Sequence, residues 1–313
     1  MTKFKHMILA ATAGLAAIPQ AAMAEGEQEI TVPGFADFLA VDGDTVWTTN
    51  RGRIEVWSRT GGKLAEVPMA RPCGTMAISH GALWAGDCQE GAIKKINIRT
   101  AQIVASIPTG IANVKGEMNV VAGDGSVWVA SDNKGVVSRI DPASDTVIAT
   151  VTVDPGTWYL AYGYDAVWAV SAEKQSVQKI DPKTNTVIGK AALGKEPGFL
   201  AAGEGGVWVQ EQGDGTLARI DPESVSLAAR IKVGDNLKWG DVDTGGGKVW
   251  LRTTDDQQFV VIDAATNAID ARFGEAAGSG ALRYTPAGVW TTAHDNHTMT
   301  WWPTSIVMPA SGD

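Results

Sequence analysis

GEGGVWVQEQGDGTLARIDPESVSLAARIKVGD, residues 203–235, repeats most of the pattern of GDGSVWVASDNKGVVSRIDPASDTVIATVTVDPG, residues 123–156. Both stretches carry a Val-Trp pair, then Arg-Ile-Asp-Pro, then a period-two apolar alternation. Aligned on an apolar residue followed by Trp, the chain shows seven copies: Val46-Trp47, Leu83-Trp84, Val127-Trp128, Val167-Trp168, Val207-Trp208, Val249-Trp250 and Val289-Trp290. The Trp-to-Trp steps are 37, 44, 40, 40, 42 and 40 residues. A period near 40 that holds several short strands marks propeller blades.

Each copy divides the same way. A short apolar strand (FLAA, MNVVA or WYLAY) runs into a Gly/Asp turn such as GDGS or GEGG, where these residues tolerate the positive φ of a tight hairpin. The second strand carries Val-Trp. A polar loop follows, then a third strand (VVSRID, SVQKID or TLARID) and a turn opened by Asp-Pro. There the Asp side chain accepts backbone hydrogen bonds and Pro presets φ. A fourth strand such as TVIATVTV alternates with period two. Seven such units predict an all-β, seven-bladed β-propeller of four-stranded antiparallel blades. EITVPG (29–34) resembles the end of a fourth strand, so the ring is expected to be closed by the N-terminal strand; the rival closing segment is SIVMPA (305–310). Closure removes the sheet edges that invite aggregation.

The first residues read as a removable leader. Lys3 and Lys5 precede the apolar run MILAATAGLAAI, and AAMA ends at Ala24 with small residues at both positions of an A-x-A cleavage site. The domain reading is therefore a signal peptide over 1–24 and one propeller domain over 25–313, periplasmic or secreted. Losing Lys3 and Lys5 takes the net charge from −9 to −11, which disfavours nucleic acid and anionic membranes as partners. No further stretch is apolar enough for a membrane span, and a monomer is expected. Two cysteines in an exported chain suggest a disulfide. With His80-Gly81 as the hairpin turn, residues whose numbers sum to 161 lie opposite, so Cys73 and Cys88 should meet, aided by a local bulge.

The VWV strands, the V-x-R-I-D-P turns and the strand ends of I-x-V-G type resemble the seven-bladed propellers of the YVTN-repeat and virginiamycin B (streptogramin) lyase-like family. The resemblance spans nearly the whole chain after the leader. It implies the propeller fold. For activity it implies either binding or lactone opening by elimination, the latter using a histidine on the loop-rich face and a magnesium ion. The first strands begin CGTMA, EMNVVA, GTWYLA and GFLAA, without the Pro-His-Gly of lyase-like repeats.

In such rings the loops from fourth to first strands and from second to third strands gather on one face, where function concentrates. The loops after the second strand supply Asn50, Arg51, Asp87, Asp132, Glu173, Glu211, Arg252 and His294. The approaches to the first strands supply Asp37, Glu117, Trp158, Tyr159, Glu196, Lys238 and Trp239. Solvated loops are ordinarily charged. The tryptophans are less ordinary and suit stacking against a planar ligand. From these, Trp158, Tyr159, Trp239, Lys238, Arg252 and Glu211 are the ligand-binding candidates. Asp243 and Arg283 join them, since they replace small or apolar residues of one first-strand column and suggest an ion pair bridging blades six and seven.

His294, Glu211 and Glu117 are the candidates for catalytic groups, as a base or as carboxylates around magnesium or calcium; Asp132 is a further carboxylate of this kind. His294, His297 and Met299 in AHDNHTM are candidate ligands for copper, which accepts imidazole and thioether. No nucleophile elbow, zincin or phosphate-loop motif occurs. The leading functional reading is an exported propeller that binds a small molecule or a periplasmic protein partner. Its alternatives are a metal-assisted lyase or hydrolase acting on a lactone or ester, and a redox-partner or envelope scaffold.

Overall fold

The computed structural model describes residues 26–110, 116–132, 134–235 and 237–308; the segment 1–24 expected to be a leader and the side chain of Asp132 lie outside them. Seven four-stranded antiparallel sheets form. Six are consecutive in sequence: residues 39–68, 72–108, 120–152, 157–192, 197–232 and 242–273. The seventh combines three strands within 282–303 with the N-terminal strand Gln28–Thr31. Ile30 pairs with Met299 and Thr31 with Thr298. The N-terminal strand therefore closes the ring, while Thr304–Val307 of the rival segment forms a helical turn. Each first strand contacts the first strands of both neighbouring blades, with blade seven returning to blade one, so these strands surround the axis. The fourth strands lie outermost and alternate exposed with half-buried residues.

Adjacent residues of a strand point to opposite faces of the sheet, and the Val-Trp pair uses this directly. Trp128 packs with Val167 of the next blade, Trp168 with Val207, and Trp208 with Val249. The last step is Trp290 with Val46, which completes the circle. All seven tryptophans are at most 2% exposed, and burying each contributes on the order of 4 kcal/mol.

The basic residue of the Arg/Lys-Ile-Asp motif ties blades together in a way its sequence position does not reveal. Arg139 lies over the ring of Trp128 at 4.7 Å and donates to Asn185 Oδ1 in the next blade's turn at 3.0 Å. Lys95, Lys179 and Arg219 repeat this arrangement over Trp84, Trp168 and Trp208, reaching the carbonyls of Pro142, Pro222 and Ala264. The Asp of the motif, replaced by Asn97 after Lys95-Ile96, caps its own turn, as when Asp141 accepts from the backbone N–H of Ala143 at 3.0 Å.

Cys73 and Cys88 are disulfide-bonded. The simple register does not hold at that end of the hairpin: a slip between Cys73 and Ala77 pairs Cys73 with Gly86. The expected bulge is present, and the two cysteine Cα atoms lie 6.0 Å apart. The bond closes a separation of 15 residues, so the Cys73→Ser, Cys88→Ser double variant should lose about 3 kcal/mol of unfolding free energy. A urea titration checks this, and an unchanged midpoint would refute it.

Candidate functional site

A cavity of about 630 Å³ opens on the face predicted for function. Approaches to first strands line it with Phe35, Asp37, Phe38, Glu117, Tyr159, Phe199, Lys238, Trp239 and Asp241; loops after second strands add Thr254, Asp255, His294 and Asp295. A second cavity of about 350 Å³ shares Phe35, Asp37, Phe38 and Glu117 and runs out between Arg51 and Arg71.

The link from the closing strand to blade one shapes the mouth. Asn50 holds it, with Oδ1 accepting from the Phe35 N–H at 2.6 Å and Nδ2 donating to the Pro33 carbonyl at 3.0 Å. Phe35 then stacks on the His294 ring at 4.0 Å, with the Arg51 guanidinium 5.3 Å from the Phe35 ring centre.

The inner wall comes from one position in the repeat. The residues paired with the column tryptophans are Ala40, Ala77, Val121, Ala161, Ala201, Asp243 and Arg283. Two residues earlier, on the same strand face by alternation, stand Phe38, Thr75, Asn119, Tyr159, Phe199, Asp241 and Ala281. Tyr159 and Phe199 have ring centres 4.5 Å apart, and Phe38 and Phe199 6.2 Å. Of this column the sequence singles out Tyr159 as a ligand contact. Comparing the repeats one pleat above the tryptophan partner would have exposed the rest.

Charge is unevenly placed. Burial pushes the Asp37 carboxyl up to about 8, with the Glu117, Asp241 and Asp295 carboxylates adding to the rise and the Arg252 cation opposing it. Glu117 is also raised, chiefly by burial and against the pull of Arg71. The Tyr159 phenol is raised by burial and by Glu117 and Asp241. Burial lowers the His294 pKa, with Arg252 and Arg51 acting in the same direction and Asp295 opposing. His294 is thus a neutral imidazole at pH 7, its Nδ1 3.0 Å from Asp295 Oδ1.

Several predicted residues stand elsewhere. Trp158 is half-buried at a slip in register between Thr157 and Tyr159 and lines neither cavity. Glu211 is fully buried and already engaged, accepting from the Gly194 N–H at 2.6 Å, the Thr216 hydroxyl at 2.6 Å and Arg230 Nε at 2.9 Å. Arg252 is also fully buried, and its guanidinium donates to backbone carbonyls of blades six and seven. Arg283 pairs directly with Asp241, one pleat from the expected partner Asp243. Asp243 instead accepts the Tyr284 N–H at 2.9 Å. Both residues face the central channel. His297 is exposed in a turn, and Met299 is fully buried between blades seven and one, so neither joins His294. Among the described residues no group of three His, Cys, Asp or Glu side chains could hold a metal ion. Nor does any described helix have the length and apolarity to cross a membrane.

No family model matches the sequence, and no curated protein matches it. Among solved structures the chain resembles virginiamycin B lyase from Staphylococcus aureus, with a TM-score of 0.76 and 15% identity over 88% of this chain and 98% of that one. A streptogramin B lyase structure scores 0.76 at 15% identity, over 88% and 96% of the two chains. Kuenenia stuttgartiensis hydrazine synthase scores 0.74 at 12% identity, over 91% and 99%. At these identities the likeness establishes the shared propeller fold.

Proposed function

We propose that the protein binds a small molecule in the cavity walled by Phe38, Tyr159, Phe199 and Trp239. The observation that carries this reading is the convergence of aromatic side chains from separate blades on one recess, at positions where the propeller repeat requires none. Trp239 is 65% exposed at the mouth with φ 61°, a surface that stacking on a ligand would cover. The leader-like N-terminus and the disulfide support an exported protein.

Saturation-transfer NMR with planar heteroaromatic compounds of positive, zero and negative charge tests the reading. At least one compound should bind, and Phe199→Ala should weaken it by about tenfold, the loss of one aromatic contact. His80→Ala, in a hairpin turn at the opposite ends of these strands, should leave binding unchanged. Binding lost in His80→Ala and retained in Phe199→Ala would place the site on the wrong face.

A second reading, a lyase or hydrolase, draws on His294. A neutral imidazole on the cavity wall is suited to take a proton, and a catalytically inactive His-to-Ala variant of virginiamycin B lyase has been solved with quinupristin. This reading predicts turnover of a lactone or ester, lost in His294→Ala. The binding reading predicts none.

A further inference from the structure

We propose that the ligand is an organic cation with a flat apolar body, held between the aromatic wall and the carboxylate of Asp37. The inference rests on the cavity being the small-molecule site and adds the chemical class. It stands first on Asp37. This carboxyl group lines both cavities and is enclosed by protein on most sides, yet among the described residues no side chain or backbone N–H donates to it. Asp241, by contrast, has the Arg283 guanidinium. The nearby Arg252 spends its donors on the carbonyls of Thr253, Gln258 and Thr292.

The second support is what surrounds that group. Phe38, Tyr159 and Phe199 present ring faces or edges to the same recess, and a cation over such rings is attracted by their quadrupoles. Glu117, Asp241 and Asp295 face Asp37 with like charge and Arg252 opposes them; Arg71 acts on Glu117, Arg283 pairs with Asp241, and Lys238 stands on the same cavity wall. An anionic ligand would meet five carboxyl groups, Asp255 included, against the single ammonium of Lys238 in the cavity lining. A small metal ion would need several converging oxygen ligands, which the described residues do not assemble. A large, weakly hydrated cation needs only the negative field and the rings. The chain's net charge of −9 favours its approach.

Binding should then release a proton. With its pKa raised to about 8, Asp37 is mostly protonated in the empty site at pH 7. An incoming positive charge favours the carboxylate and lowers that pKa. Affinity for the cation should therefore rise with pH below 8, by up to about tenfold per unit, and level off above it.

Isothermal titration with N-methylacridinium, acridine and acridine-9-carboxylate tests this, because the three share one ring system and differ in charge. N-methylacridinium has no acidic proton, so the heat difference between two buffers of unlike ionisation enthalpy counts protons leaving the protein. At pH 7 we expect N-methylacridinium to bind at least about tenfold tighter than acridine and the carboxylate to bind weakest. Proton release should approach one per site and fall toward zero by pH 9. Asp37→Asn should abolish the release and most of the preference; Asp37→Glu should retain both, which separates a lost charge from a damaged fold. Acridine binding as tightly as the cation would overturn the cation class and leave the cavity reading standing. A preference that survives Asp37→Asn with its proton release intact would overturn the role given to Asp37. If none of the three binds, the cavity reading fails as well.

Discussion

Arg252→Met should lower the unfolding free energy by about 4 kcal/mol. The side chain is fully buried. Its Nε and Nη2 donate to the Thr292 carbonyl of blade seven at 3.1 and 2.9 Å, and Nη1 donates to the Gln258 carbonyl of blade six at 3.0 Å and to that of Thr253. Burial pushes its pKa down to about 10, against the pull of Asp37 and Asp295, so it remains charged at neutral pH. Methionine nearly fills the volume, which isolates the polar loss from a cavity effect. The Thr292 carbonyl then loses both guanidinium donors, and an unsatisfied buried acceptor costs about 1–3 kcal/mol. Lysine has no planar fork and should recover only part of the loss. Denaturant unfolding of the three proteins checks the order Arg, Lys, Met. Equal midpoints would show that the buried charge costs as much as its hydrogen bonds return.

Ile30→Asp should cost a comparable amount, about 4 kcal/mol or more, and should open the ring. Ile30 is 5% exposed and packs with Met299, Trp301 and Val46. The strand that carries it is four residues long and, among the described residues, is the one strand of blade seven drawn from the other end of the chain. Aspartate there loses apolar burial and places a carboxylate among tryptophan rings. Its own pKa must rise in response, so the penalty shrinks as pH falls. Thr31 is exposed on the same strand, and Thr31→Asp should change stability by no more than about 0.5 kcal/mol. Unfolding curves together with the rate of proteolysis between residues 26 and 34 measure the effect. Rapid cleavage in Ile30→Asp alone is the expected result; identical cleavage in both variants would mean that this strand does not hold the ring shut.

The candidate site was only partly legible before the fold was known. Residues in variable loops could be named, and Tyr159, Trp239, Lys238, Glu117 and His294 do line the cavity. Glu211 and Arg252, expected in equally polar loops, end second strands, and their side chains turn inward to satisfy backbone groups at blade edges. Loop composition does not distinguish a charge that faces a ligand from one that braces a carbonyl. Likewise, Asp243 and Arg283 were recognisable as an anomalous column, but the direct ion pair goes to Asp241. A long guanidinium can reach either carboxylate, and the stagger between adjacent strands selects one.

For closure the sequence offered two segments and the fold chose the N-terminal one; by itself the sequence determined the architecture, seven blades with four strands in each. Those features depend on local periodicity and turn chemistry, and the chain writes them seven times, so each copy checks the others. The cavity is written once. It was decided by tertiary structure alone, because Phe38, Asp37, Tyr159, Phe199, Asp241 and His294 come from separate blades and from both ends of the chain. Their neighbourhood exists only after the ring has closed.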